Sequence, residues 1–206
     1  GPVINYGGAV ITDTRTGKRL SETDVPPELV REVLAYAHEL GVHAHIYQGD
    51  MVIYEAPHAY SEAYVKLLSL PSVIDPDIRT KTWYNTPKVL WMMPPERVDA
   101  LIPEVKARFA GRLQIAKSSP GFIEFNPPDA HKGAALVRLA EIMETDVSRI
   151  AAIGDNTLDY EMVRMAGLGA AVSDAKPEIL KIADVVAPAC ADDGVAWLID
   201  HYILRM

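Results

Sequence analysis

The feature that most constrains the fold is a strict alternation of helical and extended patterns after residue 131. Apolar spacing predicts helices over 132–143, 158–165, 177–182 and 195–202, separated by short apolar strands over 150–153, 169–172 and 185–186. Short buried strands that alternate with helices are typical of parallel βαβ units, in which helices cover both faces of the sheet. We therefore expect an α/β fold with a Rossmann-like sheet in this part of the chain.

The earlier part of the chain follows a different order. It predicts a small hairpin unit over 3–20, then helices over 27–40, 59–68 and 95–109, with strands over 42–47, 51–55, 87–93, 113–116 and 122–126 and a loop over 71–76. Pro127 and Pro128 mark the strongest boundary. We expect three segments: 1–23 as a core hairpin, 24–127 as an inserted α/β domain, and 128–206 as the C-terminal part of the core.

Composition excludes several classes of function. The chain has 206 residues, a formal net charge of -8 and 49% apolar residues, which suits a packed globular protein. Lys and Arg form no run, so we expect no nucleic-acid partner. No stretch is long and apolar enough for a membrane span, and the N-terminus has no signal-peptide pattern, so the cytoplasm is the expected compartment. The single cysteine, Cys190, has no neighbour that suggests metal binding or catalysis.

The sharpest chemical motif follows the strand over 150–153, where Gly154-Asp155-Asn156 leads into a helix and Asp159 comes four residues after Asp155. Ligands of open α/β sheets bind beyond the carboxyl ends of the strands, where these acids are expected. Mg²⁺ prefers oxygen ligands and commonly takes one or two carboxylates together with phosphate and water. Helix capping by Asp155 or Asn156 is the simpler alternative, but it accounts for neither Gly154 nor the second acid.

Lys132 is the second candidate. It begins the helix over 132–143, where a cation opposes the helix dipole and calls for an anionic partner. Most lysines are simply solvated. One βα unit separates Lys132 from the acids, however, so a cation, two carboxylates and a phosphate would meet at the same edge of the sheet.

Several segments together resemble one family. They are Phe125-Asn126-Pro127, His131-Lys132-Gly133, Gly154 to Asp159, Ala166-Gly167-Leu168-Gly169, Ala171 to Ala175, Ala183-Asp184 and Asp193-Gly194-Val195. This run is similar to the C-terminal half of Cof-type hydrolases of the haloacid dehalogenase (HAD) superfamily. Val3 to Ala9 resembles the segment where the core of that family passes to its cap, and the order of elements over 27–126 is similar to the type IIB α/β cap.

The resemblance implies phosphoryl transfer through an aspartyl-phosphate, with Mg²⁺ as cofactor. By position, Lys132 matches the lysine of the family's third motif, and Asp155 and Asp159 match its metal-binding acids. Asn156 is a candidate for substrate binding. Two positions depart from the family pattern, because Leu158 and Gly7 stand where many members have Asn.

No nucleophile is recognised. The chain contains no Asp-x-Asp-Gly-Thr motif, and the nearest matches, Asp13 and Asp75-Pro76-Asp77, have the sequence context of turns. We therefore expect the N-terminal nucleophile segment to be missing, the core to be incomplete and the chain alone to be inactive. Self-association or a separate N-terminal fragment would cover the core. Whether Gly1-Pro2 is a native turn or a remnant of tag removal stays open.

The expected function is that of a Mg²⁺-dependent phosphatase for a small phosphorylated metabolite, such as a sugar phosphate. A phosphomutase of the same superfamily and a catalytically inactive binding module are the alternatives. Candidate cap contacts to the substrate are the aromatic residues Tyr47, Tyr54, Trp83 and Tyr84, although an aromatic residue on a strand more often belongs to the core.

Overall fold

The computed structural model describes residues 1–204, which divide into two compact units. Residues 1–21 and 131–204 belong to the first unit by their contacts, and residues 22–130 form the second. The second unit is an insertion in the sequence of the first. The sequence-based boundaries place this insertion at 24–127.

The first unit opens with a three-stranded sheet of order β1-β2-β3. Its strands are β1 (Pro2–Asn5), β2 (Val10–Asp13) and β3 (Arg19–Glu22). A 3-10 turn at Tyr6–Gly8 joins β1 to β2, which pair in antiparallel fashion. Gly8 has a φ of 116°, and a Cβ there would lie 2.6 Å from the main chain of His131. Glycine at this position therefore lets the hairpin approach the start of the later core segment.

The second unit is built around a six-stranded sheet of order β6-β5-β4-β7-β9-β8. Its elements are α1 (Pro27–Glu39), β4 (His43–Gln48), β5 (Met51–Tyr54), α2 (Ala59–Leu68), β6 (Ser72–Ile74), β7 (Val89–Met92), α3 (Pro95–Arg108), β8 (Gln114–Ser119) and β9 (Phe122–Asn126). The segment 71–76, expected as a loop, contains strand β6. This strand pairs in parallel with β5, so sheet pairing decides its conformation despite the flanking prolines.

The core of the second unit lies between the sheet and helices α1 and α3. On α1 the residues at helical spacing, Leu29, Val30, Val33 and Leu34, are buried as a single stripe. They pack with Trp91, whose side chain is fully buried, and with other side chains from β7 and β9. Alternation along these strands therefore directs one face of the sheet toward both helices.

The C-terminal segment forms a parallel three-stranded sheet of order β10-β11-β12 with flanking helices. Its elements are α4 (Lys132–Ile142), β10 (Ala151–Gly154), α5 (Tyr160–Met165), β11 (Leu168–Val172), α6 (Pro177–Leu180), β12 (Val185–Ala187) and α7 (Gly194–Leu198). The last helix continues as a π-helix over Ile199–Ile203. The expected alternation is present, but a 3-10 turn at Thr157–Asp159 precedes α5.

Gly169 sets the distance between α5 and β11. A Cβ at this position would lie only 2.1 Å from the carbonyl oxygen of Val163, and the residue is buried. The close packing of this helix on this strand therefore depends on the absence of a side chain. No helix among the described residues is both long enough and apolar enough to cross a membrane.

This packing predicts a large cost for Gly169→Ala, because α5 must move away from β11 to make room for the methyl group. We expect a loss of about 3 kcal/mol in the free energy of unfolding, measured by urea denaturation. Gly17→Ala is the control. Gly17 has a φ of 69° but open space around it, so only the left-handed backbone is penalised, by about 1 kcal/mol. Equal losses in the two variants would contradict this account.

Candidate functional site

Lys132 and Asp159 form the central ion pair of the candidate site. The Lys132 Nζ donates to Asp159 Oδ1. The Lys132 side chain keeps 40% of its surface exposed, whereas the Asp159 side chain keeps only 4%. A lysine at the start of a helix was expected to have an anionic partner. For Lys132 this partner is the buried carboxylate of Asp159.

Local structure explains how Lys132, at the start of α4, comes to lie near Asp159. His131 caps α4, and its Nδ1 accepts the backbone N–H of Ala134 at 3.2 Å. Gly133 then allows α4 and α5 to approach, since a Cβ at residue 133 would lie 2.8 Å from the Cβ of Glu161 and 2.9 Å from the Sδ of Met165. This approach brings Lys132, the first residue of α4, to the acid that precedes α5.

Asp159 also organises the loop that follows β10. Its Oδ2 accepts the backbone N–H groups of Asp155 at 3.1 Å and Asn156 at 3.0 Å. Gly154 is required for this arrangement, because a Cβ there would lie 2.4 Å from the Cβ of Asp159. Glycine is thus required at position 154 for steric reasons, which the sequence alone did not show.

The pKa of Asp159 reflects two opposing effects. Burial raises it, but the hydrogen bond from Lys132 and those from the backbone of Asn156 and Asp155 lower it more. The net result is a pKa below the ordinary value of 3.8, so the carboxylate is ionised at neutral pH.

Asp155 differs sharply from Asp159. It is exposed directly after β10, at the carboxyl end of the parallel sheet, and its carboxylate makes no hydrogen bond or ion pair with the described residues. The two acids were both expected as metal ligands. The Asp159 carboxylate holds Lys132 and the loop, whereas the Asp155 carboxylate has no partner among residues 1–204. The assignment of both acids as metal ligands stays a prediction.

The described residues suit an open metal site rather than a closed one. Within residues 1–204, no three His, Cys, Asp or Glu side chains converge as a ready-made ligand cluster. A closed protein cage is therefore not formed by this part of the chain. The arrangement suits a hard cation such as Mg²⁺, which commonly binds through one or two carboxylates together with substrate phosphate and water.

A small cavity adjoins Lys132. It has a volume of about 240 Å³ and is lined by Ile4, Gly7, Gly8, Lys132 and Met162. Lys132 is the cationic member of this lining, and glycines bring the main chain to the cavity surface. Gly7, the departure from the family pattern, therefore lies beside the lysine rather than far from the site.

The expected substrate-binding residue, Asn156, has a fixed side-chain amide. Its Oδ1 accepts the backbone N–H of Thr157 at 2.7 Å and the Nζ of Lys176 at 2.9 Å. The Nδ2 amino group has no partner among residues 1–204 and is left as a donor. Lys176 was not identified as a candidate from the sequence. Its position after β11 could have indicated it, because the carboxyl ends of the parallel strands β10 and β11 meet at one edge of the sheet.

The nearest sequence matches to a nucleophile are engaged in turns. The Asp13 Oδ1 accepts the backbone N–H of Arg15 at 3.0 Å. In the second unit, Asp75 accepts the N–H of Asp77 at 3.0 Å and pairs with the Lys81 ammonium at 2.6 Å. These contacts agree with their interpretation as turn residues.

The aromatic candidates of the second unit are mostly structural. The hydroxyl of Tyr47 lies 2.6 Å from that of Tyr64, and Tyr54 is buried. Trp83 donates its indole N–H to a main-chain carbonyl at 2.6 Å. Tyr84, with 66% of its surface exposed, is the member of the set that presents a free ring face to solvent.

Comparison with known proteins identifies the class. Residues 1–199 match the family of haloacid dehalogenase-like hydrolases, and the chain belongs to this family. The fold is accordingly that of a HAD-type protein, a Rossmann-like core with an inserted cap formed by the second unit.

Some of the similar proteins are phosphatases by name. The chain is 25% identical to an HMP-PP phosphatase of Serratia proteamaculans, over 98% of this chain and 74% of the relative. It is similar to a crystal structure of a Thermotoga maritima protein at 28% identity and a TM-score of 0.80, covering 97% of this chain and 74% of the other. A subclass IIB sugar phosphatase shares the fold at 18% identity and a TM-score of 0.76, with coverages of 98% and 75%.

The buried pair leads to a stability prediction. Asp159→Asn would leave the Lys132 ammonium facing an amide, and we expect a loss of about 2 kcal/mol in the free energy of unfolding at pH 7 without added metal. Asp155→Asn is the matched control and should change stability by less than about 0.5 kcal/mol, since Asp155 is exposed and its carboxylate has no partner within the described residues.

The pH dependence has a defined sign. A carboxylate with a lowered pKa in the folded state stabilises the protein above the unfolded pKa, and this contribution is lost as the pH falls through the folded pKa. The difference between wild type and Asp159→Asn should therefore shrink below about pH 4. Urea denaturation at pH 7 and pH 3 measures this difference in the free energy of unfolding. A difference that grows on acidification would refute the lowered pKa of Asp159.

Proposed function

We propose that the chain carries the Mg²⁺-binding and charge-neutralising residues of a phosphatase for small phosphorylated metabolites. The observation that carries the proposal is the free carboxylate of Asp155 beside the Lys132–Asp159 pair at the carboxyl edge of the core sheet. The family and the names of its phosphatase relatives support the reaction class.

In this proposal each residue has a separate task. Asp155 would hold Mg²⁺ directly, and the ion would supply positive charge to the phosphate. Asp159 would contribute to the metal site by fixing the loop from Asp155 to Asn156. Lys132, whose side chain is partly exposed and which lines a cavity, would neutralise charge on the phosphate.

The substrate class is part of the same proposal. A sugar phosphate is supported by the subclass IIB neighbour, which is named a sugar phosphatase, and the phosphatase reaction by the Serratia relative, which is named an HMP-PP phosphatase.

We also propose that the nucleophile is not among the residues of this chain. The chain has no Asp-x-Asp-Gly-Thr motif, and the nearest acids are engaged in turns. Among the described residues, β10 pairs only with β11. One edge of the parallel sheet is therefore open to a strand from another polypeptide or from a second copy of this chain.

The first test measures catalysis. The chain alone should release no inorganic phosphate from an aryl phosphate at a useful rate in the presence of Mg²⁺, because covalent catalysis loses its leading contribution without a nucleophile. Robust hydrolysis that Asp155→Ala abolishes would show that a nucleophile in this chain has been overlooked.

A second test measures the metal. Wild type should bind Mg²⁺ weakly in calorimetric titration, and Asp155→Asn should remove this binding. Asp200→Asn is the control, since Asp200 is an exposed acid of the C-terminal helix. Equal Mg²⁺ binding by wild type and Asp155→Asn would reject the metal assignment.

A further inference from the structure

Lys176 connects two loops at the carboxyl edge of the parallel sheet. It lies between β11 and α6, and its Nζ reaches Asn156 Oδ1 at 2.9 Å and Thr157 Oγ1 at 3.2 Å. Both partners belong to the loop that follows β10. One side chain therefore ties the candidate site to the neighbouring βα connection.

The main chain of Lys176 adds a second tie. Its N–H donates to the carbonyl oxygen of Asp155 at 2.9 Å. On the other side of Asp155, the backbone N–H of that residue donates to Asp159 Oδ2. The peptide groups on both sides of Asp155 are thus fixed, while its carboxylate has no partner in the part of the chain that the structure describes.

The hydroxyl of Thr157 donates one hydrogen bond and accepts another. Its single hydroxyl hydrogen is donated to Glu178 Oε1 at 2.8 Å, so a lone pair of the same oxygen receives the Lys176 ammonium. A carboxylate at the far end polarises the hydroxyl and makes it a better acceptor. Lys176, Thr157 and Glu178 therefore form an ordered chain of bonds between the two loops.

The effect on Asn156 is specific. Its Oδ1 accepts a charge-assisted bond from Lys176 in addition to the backbone N–H of Thr157. Both bonds hold the amide with the oxygen toward the protein, which leaves the Nδ2 hydrogens as donors for an anion. Loss of the ammonium would leave this orientation dependent on one bond.

The simpler alternative is an ordinary surface lysine. Lys176 is exposed, and a single exposed contact of this kind contributes little. Lys181, five positions later, is also exposed, but its side chain has no hydrogen bond or ion pair with the described residues. The contrast lies in the two acceptors that Lys176 reaches on another loop, both within two residues of Asp155.

We propose that Lys176 is a positioning residue: it orients the Asn156 amide toward an anion and fixes the loop that presents Asp155 to Mg²⁺. This inference rests on the proposed metal site for its effect on Mg²⁺, but the orientation of Asn156 is independent of that function. Asn156 then serves as a neutral donor to a phosphate oxygen, beside the ammonium of Lys132.

The test compares Lys176→Met with Lys181→Met. Both remove one positive charge from the same segment, but only Lys176→Met removes the bonds to Asn156 and Thr157. The main-chain bond to Asp155 is retained in both variants, so the comparison isolates the ammonium group.

The first readout is the ¹⁵N–¹H spectrum of the metal-free protein. We expect Lys176→Met to shift or broaden the Asn156 side-chain NH₂ signals and the Thr157 amide signal, with partial recovery in Lys176→Arg. Lys181→Met should leave these signals in place. Unchanged Asn156 and Thr157 signals in Lys176→Met would overturn the proposal.

The second readout is Mg²⁺ affinity by calorimetric titration, where two effects have opposite signs. Removal of a nearby positive charge alone would strengthen cation binding, whereas loss of positioning would weaken it, by about tenfold for a supporting residue of this kind. We expect weaker binding in Lys176→Met and equal or slightly stronger binding in Lys181→Met. Equal or stronger binding in Lys176→Met contradicts the positioning role.

The two proposals can fail separately. If wild type binds no Mg²⁺, the proposed metal site is rejected, and the Asn156 and Thr157 signals alone decide the role of Lys176. If wild type binds Mg²⁺ and Asp155→Asn abolishes it, but Lys176→Met changes neither readout, the metal site stands and the inference about Lys176 is rejected.

Discussion

The candidate site depends on one buried carboxylate that has to be kept ionised. Asp159 is almost completely shielded from solvent, and an unpaired charge in such a position would be strongly unfavourable. Three donors compensate for this: the Lys132 ammonium and the backbone N–H groups of Asp155 and Asn156. The same contacts define the loop after β10 and the direction of the lysine, so the geometry of the site follows from the neutralisation of this charge.

Glycines make this neutralisation sterically feasible. Gly154 leaves room for the Asp159 side chain against the end of β10, and Gly133 lets α4 approach α5 closely enough for Lys132 to reach it. A methyl group at either position would collide with atoms that cannot move independently of the site. The residues next to the charged groups are therefore as much a part of the site as the charged groups themselves.

Asp155 and Asp159 are the same type of residue, but their surroundings give them different roles. Asp159 is occupied by protein donors, whereas Asp155 is exposed, with its peptide groups fixed and its carboxylate free. A fixed backbone with a free side chain is the arrangement that suits recognition of an external cation, because little ordering remains to be done on binding. The network of Lys176, Asn156, Thr157 and Glu178 extends this order to the next loop of the sheet edge.

The α/β class and most helices and strands could be predicted from the amino-acid sequence, because apolar spacing along short segments is a local property. The sequence also indicated the motif from Gly154 to Asp159 and singled out Lys132, since a cation at a helix start requires an explanation. Strand β6 was missed because its pairing with β5 is not encoded locally. The burial of Asp159, its pairing with Lys132 and the contact of Lys176 with Asn156 could be recognised only in the folded protein. These outcomes depend on packing between α4, α5 and neighbouring loops that are distant in sequence, and no spacing along the chain specifies such distances.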